Sequence, residues 1–138
     1  MSSSAAQTQA EAGTRTDHKI LDGRKAAMAI REKLAPRVQA LADTSWQPRL
    51  VSLAVGAVDA AKLYVRNQKR VAEKLGIAFD DRYLDENITR EELLATIRVL
   101  NTDPTVTGIL IQRPVPDHLE IKELQTAIHP LKDVEGMH

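Results

Sequence analysis

Residues 108–116, GILIQRPVP, form an apolar run with β-branched residues that ends abruptly in a glutamine, an arginine and two prolines. Such a run is how a buried strand delivers a polar side chain to a cleft. A carboxamide closing a buried strand needs hydrogen-bond partners for both its oxygen and its nitrogen, so Gln112 is a candidate for holding a polar ligand. Tyr64 and Gln68 lie one turn apart on a predicted helix, hence side by side on one face. A tyrosine ring, two carboxamides and the proline-rigid loop at Pro114 can line a flat, polar-aromatic pocket. Residues 132–136, KDVEG, bring two further carboxylates, Asp133 and Glu135.

Each of these residues also has a plainer reading. Tyr64 fits a core position with its hydroxyl at the surface, and Gln68 fits a solvated helix face. Pro114 and Pro116 can serve only to stop a strand and prevent edge pairing. Asp133 and Glu135 can be simple loop carboxylates. The four histidines, at 18, 118, 129 and 138, show no metal-ligand spacing, and no metal is expected.

The elements that must position these groups alternate from Asp22 onward. Asp22 can cap a helix whose apolar positions Ala26, Ala27, Ile30, Leu34, Val38 and Leu41 recur at helical spacing, with Pro36 expected to kink or split it. Residues 50–55, LVSLAV, read as a strand buried on both faces. A helix from about Asp59 follows, with Ala60, Leu63, Tyr64, Val71 and Leu75 on one face and Gly76 at its end. A weaker strand is expected over residues 77–84. Thr89 and Glu92 form a T-x-x-E capping box ahead of Leu93, Leu94, Ile97 and Leu100. Residues 107–112 are the third strand, and Asp117 with Glu120 marks a last helix carrying Ile121, Leu124 and Ile128. The order α-βαβαβα predicts an α/β fold, a parallel sheet with helices on both faces. Ligands collect beyond the carboxyl ends of such strands, where Val55, Gly56, Gln112, Arg113 and Pro114 arrive.

Composition narrows the function classes. A chain of 138 residues is one domain's worth. Its 19 Lys plus Arg balance 19 Asp plus Glu, so no net field favours nucleic acid or an anionic membrane. The absence of cysteine excludes disulfides and thiolate metal sites and fits a reducing, cytoplasmic setting. The longest apolar runs fall far short of the roughly 20 residues that span a bilayer. Residues 1–17 are too poor in large apolar side chains to offset their ordering entropy and read as a disordered tail before one domain over 18–138. The glycines at 13, 23, 56, 76, 108 and 136 are isolated, which leaves no G-x-G-x-x-G turn or P-loop.

Three blocks, VGAVDAAKLYVRNQKRVAEKLGI (55–77), GILIQRPVPDH (108–118) and HPLKDVEGMH (129–138), together with ILDGRKAA (20–27), resemble the N-terminal catalytic domain of the bifunctional methylenetetrahydrofolate dehydrogenase/cyclohydrolase family. That family's blocks read approximately VG-x4-S-x2-YV-x2-K-x7-GI, G-[IL]-[LV]-V-Q-LP-[LV]-P and P-x-KDVDG. The resemblance implies oxidation of 5,10-methylenetetrahydrofolate with NAD(P), then hydrolysis of the methenyl form to 10-formyltetrahydrofolate. It also implies a folate cleft shared with a Rossmann domain, expected to be missing after His138. By the same resemblance, the tyrosine matching Tyr64 packs on the folate. A lysine one turn later handles the proton, and the glutamine matching Gln112 holds that lysine. The last aspartate of KDVDG binds the pterin's amino edge, with Pro114 in the substrate-binding loop.

The chain departs from that pattern. Gln68 stands at the lysine position with unchanged spacing to Gly76, Ala61 at the serine, Glu135 at the aspartate and Arg113 at the leucine. Lys69 is adjacent but points about 100° away around the helix. Glu135 keeps a carboxylate. Gln68 cannot ionise, so the cyclohydrolase step is expected to lose roughly 10²–10⁴ in rate, while hydride transfer in a complete protein is expected to survive. The expected partners are a folate and either a second copy of the chain in a homodimer or a separately encoded Rossmann domain, with no nucleic acid and no membrane. Two alternatives stand beside this reading, a non-catalytic folate-binding or regulatory module and an inactive truncated remnant.

Overall fold

The computed structural model describes residues 21–56 and 59–138. The disordered tail expected over residues 1–17 and the inward placement expected for Ala60 lie outside the described residues.

Helix α1 (Gly23–Asp43) starts where Asp22 accepts the main-chain N–H groups of Arg24 and Lys25. It runs unbroken through Pro36, contrary to the expected split. Pro36 lies on an exposed stretch, where the Glu32 carbonyl that loses its partner can turn to water. The apolar stripe is only partly covered, with Ala27 and Leu34 half-buried and Ala26 exposed. Val38 is buried, whereas Ile30 and Leu41 stay exposed.

Three parallel strands follow, β1 (Arg49–Val55), β2 (Ala78–Leu84) and β3 (Gly108–Ile111), in the order β2-β1-β3. Between them run α2 (Asp59–Lys74) and α3 (Arg90–Thr102), and α4 (Ile121–Ala127) comes after β3. The α/β architecture is the one the alternation implies. β1 is central, so both its faces are covered. Its odd-numbered residues Val51, Leu53 and Val55 pack with Ile109 and Ile111 against Leu93, Ile97 and Leu100 of α3 and Leu124 of α4. On the other face, Leu50, Phe79 and Leu110 pack against Val65 and Ala72 of α2. Full burial of a Leu or Ile such as Leu53, Leu93, Ile97 or Ile109 contributes about 1.5–3 kcal/mol each.

The buried line of α2 is therefore Val65–Ala72. The expected face fails at Leu63 and Tyr64, which are 61% and 59% exposed. Residues 63–65 are apolar or aromatic in a row, so their pattern does not fix the helix's rotation. Contacts across the sheet do, as the site shows.

Local signals are realised as expected. Thr89 Oγ1 accepts from Glu92 N and Glu92 Oε2 from Thr89 N, a complete capping box. Gly76 ends α2's turn at φ +83°, a backbone state costly for a side chain. At α4 the cap is Glu120 rather than Asp117, its carboxylate accepting from Lys122 N. A short 3₁₀ turn (Pro130–Lys132) then leads to Asp133, which bridges Ile109 in parallel beside β3. Lys132 anchors this segment, its Nζ donating to the carbonyls of Leu100 and Asp103 at 2.8 and 2.6 Å and so capping the end of α3.

Candidate functional site

Gln112 lies one residue beyond β3, with its main-chain N–H still donating to Leu53 O at 2.8 Å. The strand ladder thus fixes its backbone at the carboxyl edge of the sheet. Its side chain is 9% exposed and turns toward α2. Nε2 donates to Ser52 Oγ at 2.9 Å and to Gln68 Oε1 at 3.0 Å. Both amide hydrogens are used in this way. Gln112 Oε1 and Gln68 Nε2 remain without a hydrogen-bond partner among the described residues.

Gln68 comes to Gln112 from above, on the half-buried flank of α2. The next residue, Lys69, leaves the helix toward β2, where its Nζ meets Asp81 Oδ1 at 2.6 Å. The hydrogen bond to Asp81 and the charge of that carboxylate hold the Lys69 ammonium above its ordinary value. These two polar contacts, one on either side of the Val65–Ala72 line, set the rotation of α2. They also leave Tyr64 at the rim. Tyr64 and Gln68 line one open hollow of about 400 Å³ whose remaining wall, apart from Asn67, is apolar, including Leu50, Val71 and Leu110.

Pro114 and Glu135 stand apart from that hollow. The Arg113–Pro114 peptide is cis. Arg113 and Pro114 line a second hollow of about 590 Å³ together with Asp117 and Glu120. Glu135 is exposed on the turn after Asp133 and lines neither hollow. Asp133 itself is more than a loop carboxylate. Its Oδ1 accepts the N–H groups of Glu135 and Gly136 and its Oδ2 that of His138. Those main-chain donors, His138 first, hold its carboxyl below the ordinary carboxylate range.

Of the expected site residues, Gln68 and Gln112 are in direct contact and Tyr64 shares a hollow with Gln68, Gln112 lying behind Gln68 outside its lining, while Pro114 and Glu135 are carried on neighbouring loops. The structure adds Ser52 and Asp81, which sequence reasoning passed over. Ser52 did leave a signal, a lone hydroxyl inside LVSLAV. Chemically, two neutral carboxamides beside a phenol ring can orient a flat polar ligand, but neither carboxamide can carry a proton. Among the described residues no three His, Asp or Glu gather as a metal site, and no helix is long and apolar enough to cross a membrane.

Comparison with known proteins agrees with this layout. The family described as tetrahydrofolate dehydrogenase/cyclohydrolase, catalytic domain, matches residues 21–135. Bifunctional protein FolD 2 of Mesorhizobium japonicum is 57% identical over 91 residues, which is 66% of this chain and 30% of that protein. Bifunctional protein FolD of Rhodobacter capsulatus is 42% identical over 124 residues, 90% of this chain and 41% of that protein. Among solved structures, the bifunctional FolD methylenetetrahydrofolate dehydrogenase/cyclohydrolase of Campylobacter jejuni superposes with a TM-score of 0.82 at 38% identity, covering 85% of this chain and 42% of that one. The Trypanosoma brucei methylenetetrahydrofolate dehydrogenase-cyclohydrolase, solved with NADP cofactor and inhibitor, gives 0.76 at 28% identity, covering 83% and 39%. The chain thus spans less than half the length of these relatives. With that family's model matching residues 21–135, nearly the whole of the described structure, the chain belongs to the tetrahydrofolate dehydrogenase/cyclohydrolase family.

Proposed function

We propose that this chain is the folate-binding catalytic region of an enzyme of one-carbon metabolism. That enzyme oxidises 5,10-methylenetetrahydrofolate and hydrolyses 5,10-methenyltetrahydrofolate, with the hydrolytic step impaired in this protein. The hydrogen bond between Gln68 and Gln112, beside the exposed ring of Tyr64, is the observation that carries the reading. Tyr64 packs on the folate, and Gln112 and Gln68 meet its polar edge. Pro114 shapes the adjoining loop, and Glu135 receives the pterin's amino group from the turn that Asp133 organises. The folate-binding unit is residues 18–138, preceded by a tail over 1–17, in a cytoplasmic protein.

Hydride transfer in the relatives' reaction needs NAD(P), and the residues of this chain do not fit that cofactor. A dinucleotide in a parallel sheet rests on a Gly-rich strand–helix turn, and the glycines here are isolated. The residues that hold NAD(P) therefore lie outside these 138. The steps derived for this chain are binding and orientation of the folate.

A second reading, a folate-binding module without catalysis, is favoured by one observation. The nearest amine, on Lys69, is engaged by Asp81 on the far side of the helix, so nothing replaces the proton carrier that Gln68 lacks. Gln68→Lys separates the two readings. Restored hydrolysis of 5,10-methenyltetrahydrofolate, roughly 10²–10⁴-fold above the parent chain, means an intact site short of one group. Continued silence with folate still bound favours the module. Failure of both proteins to bind any tetrahydrofolate derivative refutes the folate reading.

A further inference from the structure

Ser52 is buried to 1% exposure in the middle of β1, on the face that α2 covers. The core cluster on that face is Val65, Ala72, Phe79 and Leu110, an environment in which valine or alanine would pack without a polar atom to satisfy. A buried hydroxyl is costly unless it is paired. The hydrogen bond of Ser52 reaches 60 positions along the chain to Gln112 Nε2, at 2.9 Å. The register makes this direct, because Ser52 pairs with Leu110, and Gln112 lies two residues on, on the same face of the sheet.

We infer that Ser52 is a positioning residue for the site, its hydroxyl anchoring the Gln112 carboxamide on the α2 face of the sheet, within reach of Gln68. With Ser52 Oγ accepting one amide hydrogen, the other goes to Gln68 Oε1. The carbonyl oxygen of Gln112 and the amide nitrogen of Gln68 are then the groups left to meet a ligand, one acceptor and one donor. Remove the hydroxyl and the carboxamide loses its one anchor on the sheet, keeping only Gln68, and is free to shift. The inference rests on the proposed folate reading for the ligand, and on the two distances alone for the orientation.

The test uses the full chain as Ser52→Ala and Ser52→Thr, with two readouts. The first is hydrogen exchange at the Gln112 side-chain amide, whose resonances are identified by their loss in Gln112→Ala. The second is affinity for tetrahydrofolate. Ser52→Ala is expected to speed exchange of the Gln112 amide and to weaken tetrahydrofolate about 3–10-fold. Ser52→Thr, which keeps the hydroxyl, is expected to stay within about twofold of the parent on both. Should Ser52→Ala not fold, Ser52→Cys, with only a weak acceptor, replaces it under the same expectations. Unchanged amide exchange, or equal affinity in the parent and Ser52→Ala, overturns the positioning role. If the parent chain binds no tetrahydrofolate, the folate reading falls while amide exchange still decides whether Ser52 holds Gln112.

Discussion

Lys69 Nζ lies 2.6 Å from Asp81 Oδ1, on the opposite flank of α2 from the contact between Gln68 and Gln112. One residue's difference in sequence thus separates a charged pair over β2 from a neutral pair over the end of β3. The helix cannot offer both side chains to the same ligand, since successive residues diverge by about 100°.

The same pair gives a pH signature. Asp81 raises the Lys69 ammonium above its ordinary value of 10.5, so the stabilisation it brings is fully present below that value and is lost as pH rises through the raised one. Asp81→Asn is expected to flatten the alkaline fall of the melting temperature in this range while changing little near neutrality, where water screens so exposed a pair. Thermal melts of both proteins between neutral pH and pH 11 check this.

The rotation of α2 can be tested by truncating neighbours. Val65→Ala removes buried methyl groups and is expected to cost about 2 kcal/mol. Leu63→Ala, on the exposed side, is expected to stay within about 0.5 kcal/mol despite losing more carbon. Urea unfolding of the two variants decides between this rotation and one that turns Leu63 inward, which would reverse the ranking.

Asp133 organises the turn that carries Glu135. Its carboxyl is held below its ordinary value of 3.8, so its contribution is present above that pH and disappears as pH falls through the lowered value. Asp133→Asn is expected to speed amide exchange at Glu135, Gly136 and His138 at neutral pH, leaving the Thr89–Glu92 cap protected. Equal protection of the three amides in both proteins would show the turn to be held by something else.

What the sequence revealed follows the range of the interactions involved. The capping box at Thr89 and Glu92 spans three residues and was readable as a motif. β1 and β3 were readable because a parallel sheet buries both faces of short apolar runs, and Gln112 stood out as the polar end of one, whereas β2, with Asp80, Asp81 and Arg82 in it, gave a weaker signal. The rotation of α2 was not readable, because Leu63, Tyr64 and Val65 are all apolar or aromatic and the deciding partners, Asp81 and Gln112, lie on other strands. Ser52 escaped for the same reason, its partner being 60 residues away. In α1 the periodicity correctly marked an apolar stripe, but periodicity says nothing of what covers it. Ile30 and Leu41 remain exposed there.

The central claim, a folate site built on Tyr64 and Gln112, is tested most directly by calorimetric titration of the full chain with 5,10-methenyltetrahydrofolate. The expected result is one saturable site, weakened about 3–10-fold in Gln112→Ala through lost hydrogen bonding and by a similar factor in Tyr64→Ala through lost stacking. Absence of saturable binding, or binding that neither substitution alters, would contradict it.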